Sequence, residues 1–263
     1  WDGAALAGLL DGIDADINLQ GENIGGGRWT PERKQAIVNS RVETGQALCV
    51  ALRLRTEQSQ QAPATLLQAS ASGYYGLWQN NAPACDEGAP SGTGFLAETC
   101  RQWEKSTVPV EALGIRRCVL RFAPVLGKKA DGTPGGFLER MLPPFRMFVG
   151  GPLGSGKQPF CWTHLEDVAG AAALLLQRPD LTGTFNICAP RTPSMSEFTH
   201  ALGKACGRPS WLPVPAPVLR LMLGQMADEL LLAGQNPVPA RLQAAGYAFR
   251  QPDLDSALRS VLI

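Results

Sequence analysis

Two hydroxyl-bearing runs and one histidine hold most of the chemistry open to this chain. Ser70-Ala-Ser72 closes a short β-rich run, Gly73-Tyr-Tyr-Gly76 follows it, and His164 stands just before Glu166-Asp167. A serine can polarise a substrate oxygen, and a tyrosine or histidine can pass a proton to it. Tyr74, Tyr75, Glu98 and His164 are the side chains here that could pass a proton. Each also has a plain structural use. Tyrosines pack with one polar end wet, Glu98 suits a solvated helix face, and His164 sits where a helix start would take a hydrogen bond. His164 and His200 are the only histidines, and no Cys-x-x-Cys pair occurs, so no metal site is expected.

Two further runs imitate nucleotide-binding loops. Gly151-Pro-Leu-Gly-Ser-Gly-Lys157 matches a phosphate-binding loop up to its last position, where Gln158 replaces the hydroxyl that would hold Mg²⁺. Pro159 then forbids the helix whose amides would complete the site, so a turn-rich connection is expected. Gly92-x-Gly94-x-x-Ala97 fits the dinucleotide fingerprint, but a loop precedes it where a strand is required. These glycines read as a flexible entry to a helix. Arg41, in Ser-Arg-Val-Glu43, could grip a phosphate through its planar fork, or pair with Glu22 or Glu43.

The elements that must carry these residues follow from pattern and punctuation. An amphipathic start leads into a short strand over 14–20. Thr30-Pro31-Glu32 offers an N-cap, a proline at the first helical position and an early acid, which predicts a helix to about Leu54. Strands are expected over 65–70 and 117–121, with a helix over 95–104 between them. Strand, helix and strand alternating at this spacing predict a parallel, doubly wound sheet covered on both faces, with ligands at the strands' carboxyl ends. Beyond a soft boundary near Gly150 the chain turns helix-rich and proline-punctuated. Ser194-Met-Ser-Glu197 reads as a capping box, and 184–188 as a late strand. Trp29, Trp78, Trp103, Trp162 and Trp211 read as core or pocket-wall aromatics.

A chain of 263 residues suits one large α/β domain with a small appendage. Hydrophobic residues at 44%, charged residues at 18% and a net charge of +1 describe a globular chain with no electrostatic case for nucleic acid or an anionic membrane. The seven scattered cysteines read as reduced thiols. No apolar stretch approaches a bilayer span, and the first residues form no secretory signal, so a cytoplasmic protein is expected.

Eight runs, in order, resemble one family: Ile17-Asn-Leu-Gln-Gly-Glu22, Arg28-Trp-Thr30, Asn39-Ser-Arg-Val-Glu-Thr44, Gly73-Tyr-Tyr-Gly76, Phe95-Leu-Ala-Glu98 with Trp103-Glu104, Gly150-Gly-Pro-Leu-Gly-Ser-Gly156, Trp162-x-His164-x-Glu-Asp167 and Met226-Ala-Asp-Glu-Leu-Leu-Leu232. Together they resemble the epimerase-family branch of the extended short-chain dehydrogenases/reductases that carries its own C-terminal domain, often labelled cell-division inhibitors. The resemblance implies a Rossmann-like doubly wound domain over 1–150 and a smaller helix-rich domain over 151–263, with return crossings to the sheet. It also implies an opening β-α-β segment of roughly 50 to 60 residues that has no counterpart here.

The cofactor implied is NADP in preference to NAD. It would lie over Leu19, Gln20 and Gly21 on the adenosine side, Ala69, Ser70 and Ala71 at the nicotinamide ribose, and Arg121, Phe122, Ala123, Pro124 and Val125 at the nicotinamide. Gln20 departs from the family's usual small residue. The resemblance implies a catalytic serine that polarises the substrate oxygen, at Ser70 or Ser72, whereas the superfamily's Tyr-x-x-x-Lys helix here reads Phe95-x-x-x-Thr99, which can neither donate the proton nor tune it, leaving Tyr74 and His164 as the catalytic candidates beside the serine. Two functions remain open: an epimerase or reductase acting on an unknown small molecule through non-standard residues, or a non-catalytic dinucleotide-binding protein, regulatory or division-linked, with a protein partner or a second copy of itself.

Overall fold

The computed structural model describes residues 1–80 and 82–262. Four strands, β1 (Ala15–Asn18), β2 (Thr65–Ala71), β3 (Arg116–Phe122) and β6 (Gly183–Ile187), form one sheet in the order β1-β2-β3-β6. Every pairing is parallel, with Ile17 opposite Leu67, Ser70 opposite Arg121, and Arg121 opposite Asn186. Parallel neighbours need crossovers. These are supplied by α2 (Pro31–Glu57), by α3 (Phe95–Ser106) with a 3₁₀ turn at Val108–Leu113, and by the long excursion between β3 and β6.

Alternation along β2 fixes its two faces. Leu66 packs with Leu10, Leu48, Leu52 and Val110, under α1 (Gly3–Leu9) and α2. Leu67 faces the other way, into Cys118, Leu120, Phe185, Ala171 and Leu175, the last two from α5 (Leu165–Gln177). With both faces covered, the strand reads as a nearly unbroken buried run, as parallel strands do. The α2 start is as the sequence specifies: Thr30 accepts the Arg33 amide at 3.2 Å and Pro31 stands at the first turn.

A second core lies at the carboxyl side. It gathers Leu126, α4 (Gly136–Arg146) and α6 (Met195–Cys206) around Phe145, Trp162 and Phe198, with Leu219 of α7 (Ala216–Leu223), Ala227 of α8 (Gln225–Leu230) and Leu258 of α10 (Leu254–Leu262). The capping box at Ser194 and Glu197 is formed in full. Residue 150 is thus not a packing divide: α4, before it, joins this core, while α5 and β6, after it, return to the sheet. A small pair, β4 (Val125–Leu126) with β5 (Thr163–His164), and a short α9 (Ala240–Ala244) complete the elements. The excursion's Gly151–Lys157 loop has no preceding strand, and no helix follows it before α5. No helix among the described residues is long and apolar enough to cross a membrane.

One carboxylate ties the C-terminal segment to the sheet's covering helix. Asp167, 3% exposed, accepts the amides of Arg250 at 2.7 Å and Gln251 at 3.0 Å, and the Tyr247 hydroxyl at 3.1 Å. Burial, then this carboxylate, pushes the Tyr247 hydroxyl pKa upward, so it remains a donor. Removing the acceptor strands two amides at a cost of about 1–3 kcal/mol each. Asp167→Ala is therefore expected to lower the unfolding free energy by about 3 kcal/mol, read by urea denaturation. A loss under about 0.5 kcal/mol would show the contact to be dispensable.

Candidate functional site at the strand ends

The carboxyl ends of β1, β2 and β3 share one edge, which brings Leu19-Gln20-Gly21, Ala69-Ser70-Ala71 and Phe122-Ala123-Pro124-Val125 alongside one another. Leu19, Gln20 and Gly21 are exposed, Ala69 and Ala123 are buried, and Ala71, Phe122, Pro124 and Val125 are half-buried. The Gln20 amide donates to Asn18 Oδ1 at 3.3 Å, and Asn18 is held by Gln68 at 3.0 Å. Arg41 lies against Gly21: a Cβ there would stand 2.9 Å from the guanidinium carbon. The side chain donates to Ile37 O at 2.9 Å, covers the Trp103 ring at 4.9 Å, and forms no ion pair among the described residues. Burial lowers its pKa.

Beneath this edge, on the α3 side, a charged row crosses three strands. Arg121 donates to both Glu104 oxygens, at 2.9 and 3.0 Å, in a fork-on-carboxylate pair with both partners largely buried. Ser70 donates to the same Glu104 at 2.6 Å. Arg121 also donates to the Tyr75 hydroxyl at 3.0 Å and lies 3.4 Å from the centre of the Tyr74 ring. Tyr75 in turn donates to Asn186 Oδ1 at 2.6 Å. Burial pushes the Tyr75 pKa up to about 12, so it keeps its proton. Burial opposes the Arg121 charge, but hydrogen bonds to Glu104 and Tyr75 outweigh it and raise its pKa.

Ser70 and Tyr74 thus meet the same ion pair, Ser70 on Glu104 and Tyr74 on Arg121, with the Ser70 hydroxyl held under the sheet. Ser72, in the 3₁₀ turn Ser72–Tyr75 that follows β2, is placed differently. It donates to Gln235 Oε1 and accepts from the Cys161 thiol, both at 3.4 Å, while Gln235 Nε2 holds Gly76 O at 2.9 Å. His164 stands at the start of α5, away from the row. Its Nδ1 accepts the Glu166 amide at 3.2 Å and its Nε2 meets the Ser260 hydroxyl of α10 at 3.1 Å. Because Ser260 donates to Ala257 O, the ring must donate from Nε2, which is the neutral tautomer.

Phe95 and Thr99 occupy the first and second turns of α3. The Phe95 ring meets Trp29 edge-on at 5.0 Å, and Thr99 donates back to Phe95 O at 2.8 Å. Gly94 provides no side-chain cap; Glu229 of α8, 4% exposed, accepts the Phe95 and Leu96 amides at 3.1 and 2.9 Å instead. Glycine 92 is no flexible hinge. Its amide donates to Tyr74 O at 2.9 Å, and a side chain there would collide with Gly76 and the Tyr75 carbonyl. Glu98 is half-buried and pairs with Arg101 on its own helix.

Comparison with known proteins places the chain. Residues 2–188 match the NAD dependent epimerase/dehydratase family, and residues 214–261 match a domain of unknown function (DUF1731). The chain belongs to the NAD-dependent epimerase/dehydratase family. An epimerase family protein of Mycobacterium bovis is 37% identical over 249 residues, covering 95% of this chain and 78% of the relative. The crystal structure of human epimerase family protein SDR39U1 (isoform 2) with NADPH superposes with a TM-score of 0.87 at 31% identity, covering 99% of this chain and 85% of that one. A nucleoside-diphosphate sugar epimerase from Corynebacterium glutamicum gives a TM-score of 0.75 at 28% identity, covering 100% of this chain and 49% of the other. Family membership agrees with the doubly wound sheet and helical C-terminal region.

Sequence reading missed Glu104, Asn186, Glu229 and Gln235. The signal for the first two was Arg121 itself, since a guanidinium inside Cys118-Val-Leu-Arg-Phe122 requires a buried partner. Glu104→Gln leaves that guanidinium uncompensated and is expected to lower stability by about 3 kcal/mol; an unchanged denaturation midpoint would contradict the network. Burial lowers the His164 pKa from its ordinary 6.5. The unfolded chain then binds more protons than the native one, so this stabilisation is whole above pH 6.5 and is lost as pH falls below it. His164→Asn is expected to flatten the stability profile between pH 7.5 and 5.5, measured by urea denaturation; an equal slope in both proteins would contradict the assignment.

Proposed function

We propose that this protein binds NADP(H) over the carboxyl ends of β1, β2 and β3 and acts as an epimerase- or reductase-like protein on a small molecule, through residues other than a Tyr-Lys pair. The observation that carries the reading is the shared edge of three parallel strands, lined by small residues at 21, 69, 71 and 123 that let a ligand approach the backbone. Arg41, facing Gly21 without an acid partner, suits a cofactor phosphate. The human SDR39U1 structure compared above is one with NADPH, which favours NADP over NAD. Bound NADPH would supply a hydride. The chain's own contribution would be to orient the nicotinamide against Phe122–Val125 and to offer the Ser72 hydroxyl, steadied by Gln235, to a substrate oxygen. Ser70 and Tyr74 would then position this floor through Glu104 and Arg121. The seven unpaired cysteines suit a reducing compartment such as the cytoplasm.

A second reading has one observation in its favour. Ser70, Tyr75 and His164 are all committed to internal hydrogen bonds, and Phe95 and Thr99 cannot transfer a proton. That arrangement suits a non-catalytic dinucleotide-binding protein whose occupancy stabilises a surface for a protein partner or a second copy. NADPH titration followed by its fluorescence, together with Ser72→Ala, separates the two. The enzyme reading expects saturable NADPH binding that is unchanged in Ser72→Ala, with carbonyl-reducing or epimerising turnover reduced at least ~100-fold. Binding without turnover on a broad carbonyl and sugar-nucleotide panel supports the second reading. Absence of NADPH binding contradicts both.

A further inference from the structure

Helix α4 closes on an aromatic residue where glycine is usual. Phe148 stands in its C-terminal turn with φ 64°, the left-handed conformation, and the Val149 amide completes the turn by donating to Pro144 O at 2.9 Å. Phe148 is nonetheless 54% exposed, so neither backbone preference nor burial accounts for the ring. Its neighbours share that exposure: Met147 at 65% and Trp211 at 66%, with Val149 and Leu212 also exposed. Hydrogen bonds join the two segments, since the Trp211 and Leu212 amides both donate to Gly150 O and Trp211 Nε1 donates to Phe148 O at 3.2 Å. Five large apolar side chains thus form one outward face.

The charge on the segments that build this face is of one sign. No Asp or Glu occurs from Arg140 to Leu165 or from Phe198 to Ala227, while these stretches carry six arginines and lysines. Lys204 and Arg220 are neutralised by Asp255 and Asp228, but Arg146 and Arg208 form no ion pair among the described residues. The Arg208 guanidinium carbon lies 4.5 Å from the centre of the Phe148 ring, and Arg146 is the last residue of α4, directly before Met147. Both guanidinium groups come near Cys206: burial raises its thiol pKa, and the two charges oppose the rise. The net charge of +1 averages this local excess away. The face lies at the far end of α4 from the strand-end edge, for the helix starts beside Val125 and runs 11 residues, about 16 Å, to Arg146.

We infer that this face attaches the protein to the surface of an anionic lipid bilayer, with Met147, Phe148 and Trp211 entering the boundary between headgroups and acyl chains and Arg146 and Arg208 meeting lipid phosphates. Peripheral binding combines buried apolar area with attraction to anionic headgroups, and both components are present here. Side chains this exposed project from the surface and would need matching pockets in a rigid protein partner, whereas a fluid boundary accommodates them. Two copies meeting through the face would set the same guanidinium groups against each other across a two-fold axis, which like charges disfavour. The attachment needs no membrane-spanning helix and no bound cofactor.

The test is co-sedimentation of the whole protein with vesicles of phosphatidylcholine containing about one-third phosphatidylserine and, separately, with vesicles of phosphatidylcholine alone. The protein should pellet with the first and not with the second, and added salt should weaken the binding. Phe148→Gly should weaken it about tenfold. The same substitution should leave the melting temperature essentially unchanged, because relief of the left-handed strain offsets the added freedom of the unfolded chain. Arg146→Gln, at an exposed site, should weaken binding about fivefold. No pelleting with the anionic vesicles, or pelleting indifferent to both substitutions, overturns the inference. So does a dimer in analytical ultracentrifugation that Phe148→Gly dissolves, which would give the face to a second copy.

Discussion

The buried pair between Arg121 and Glu104 is the constraint around which the strand-end edge is built. A guanidinium in the middle of a three-strand row cannot be left without a counter-charge, because an uncompensated buried ion costs several kcal/mol. Glu104 meets it from α3, and the pair then fixes α3 against β3. Arg121 also donates to Tyr75 and to the Glu87 carbonyl, and Tyr75 donates to Asn186. Asn186 passes the constraint outward, donating to Cys85 O and Val238 O while its own amide is held by Glu87. One ion pair thus sets the positions of α3, of the turn after β2, and of two long connections on the carboxyl side of the sheet. Buried polar networks of this kind specify one arrangement when every member is satisfied.

The same helix shows how the C-terminal region enters the architecture. α3 begins on a glycine with no capping side chain, and its first amides are received by Glu229, more than a hundred residues downstream. Gln225, one turn earlier on α8, donates to Glu229 and accepts from Lys34 at the start of α2. The helix that in the wider superfamily carries a proton-transferring pair here carries Phe95 and Thr99, pinned from three sides.

Much of the fold was legible because its elements are punctuated locally. Thr30-Pro31-Glu32 and Ser194–Glu197 announce their helices by capping chemistry, and β2 and β3 by runs of apolar residues. What escaped depends on contacts distant in sequence. Glu104 has the same helical pattern as Glu98, which pairs only along its own helix, and only the strand opposite distinguishes them. Gly92 looked like slack and is a close backbone crossing against Gly76. α4 was hidden by Pro143 and Pro144, and with it the forward packing of 136–146 onto the helix-rich core. At the site, the strand-end loops could be placed from topology, whereas the direction of a hydroxyl could not. Ser70 and Ser72 are two residues apart and hydrogen-bond to different partners.

The central claim is that the carboxyl ends of β1, β2 and β3 form a dinucleotide-binding edge. Amide hydrogen exchange with and without NADPH tests it most directly. The account predicts slower exchange on NADPH addition at 19–21, 69–73 and 122–125, with the strand interiors unchanged. NADPH-dependent protection located elsewhere, with these three segments unaffected, would contradict it.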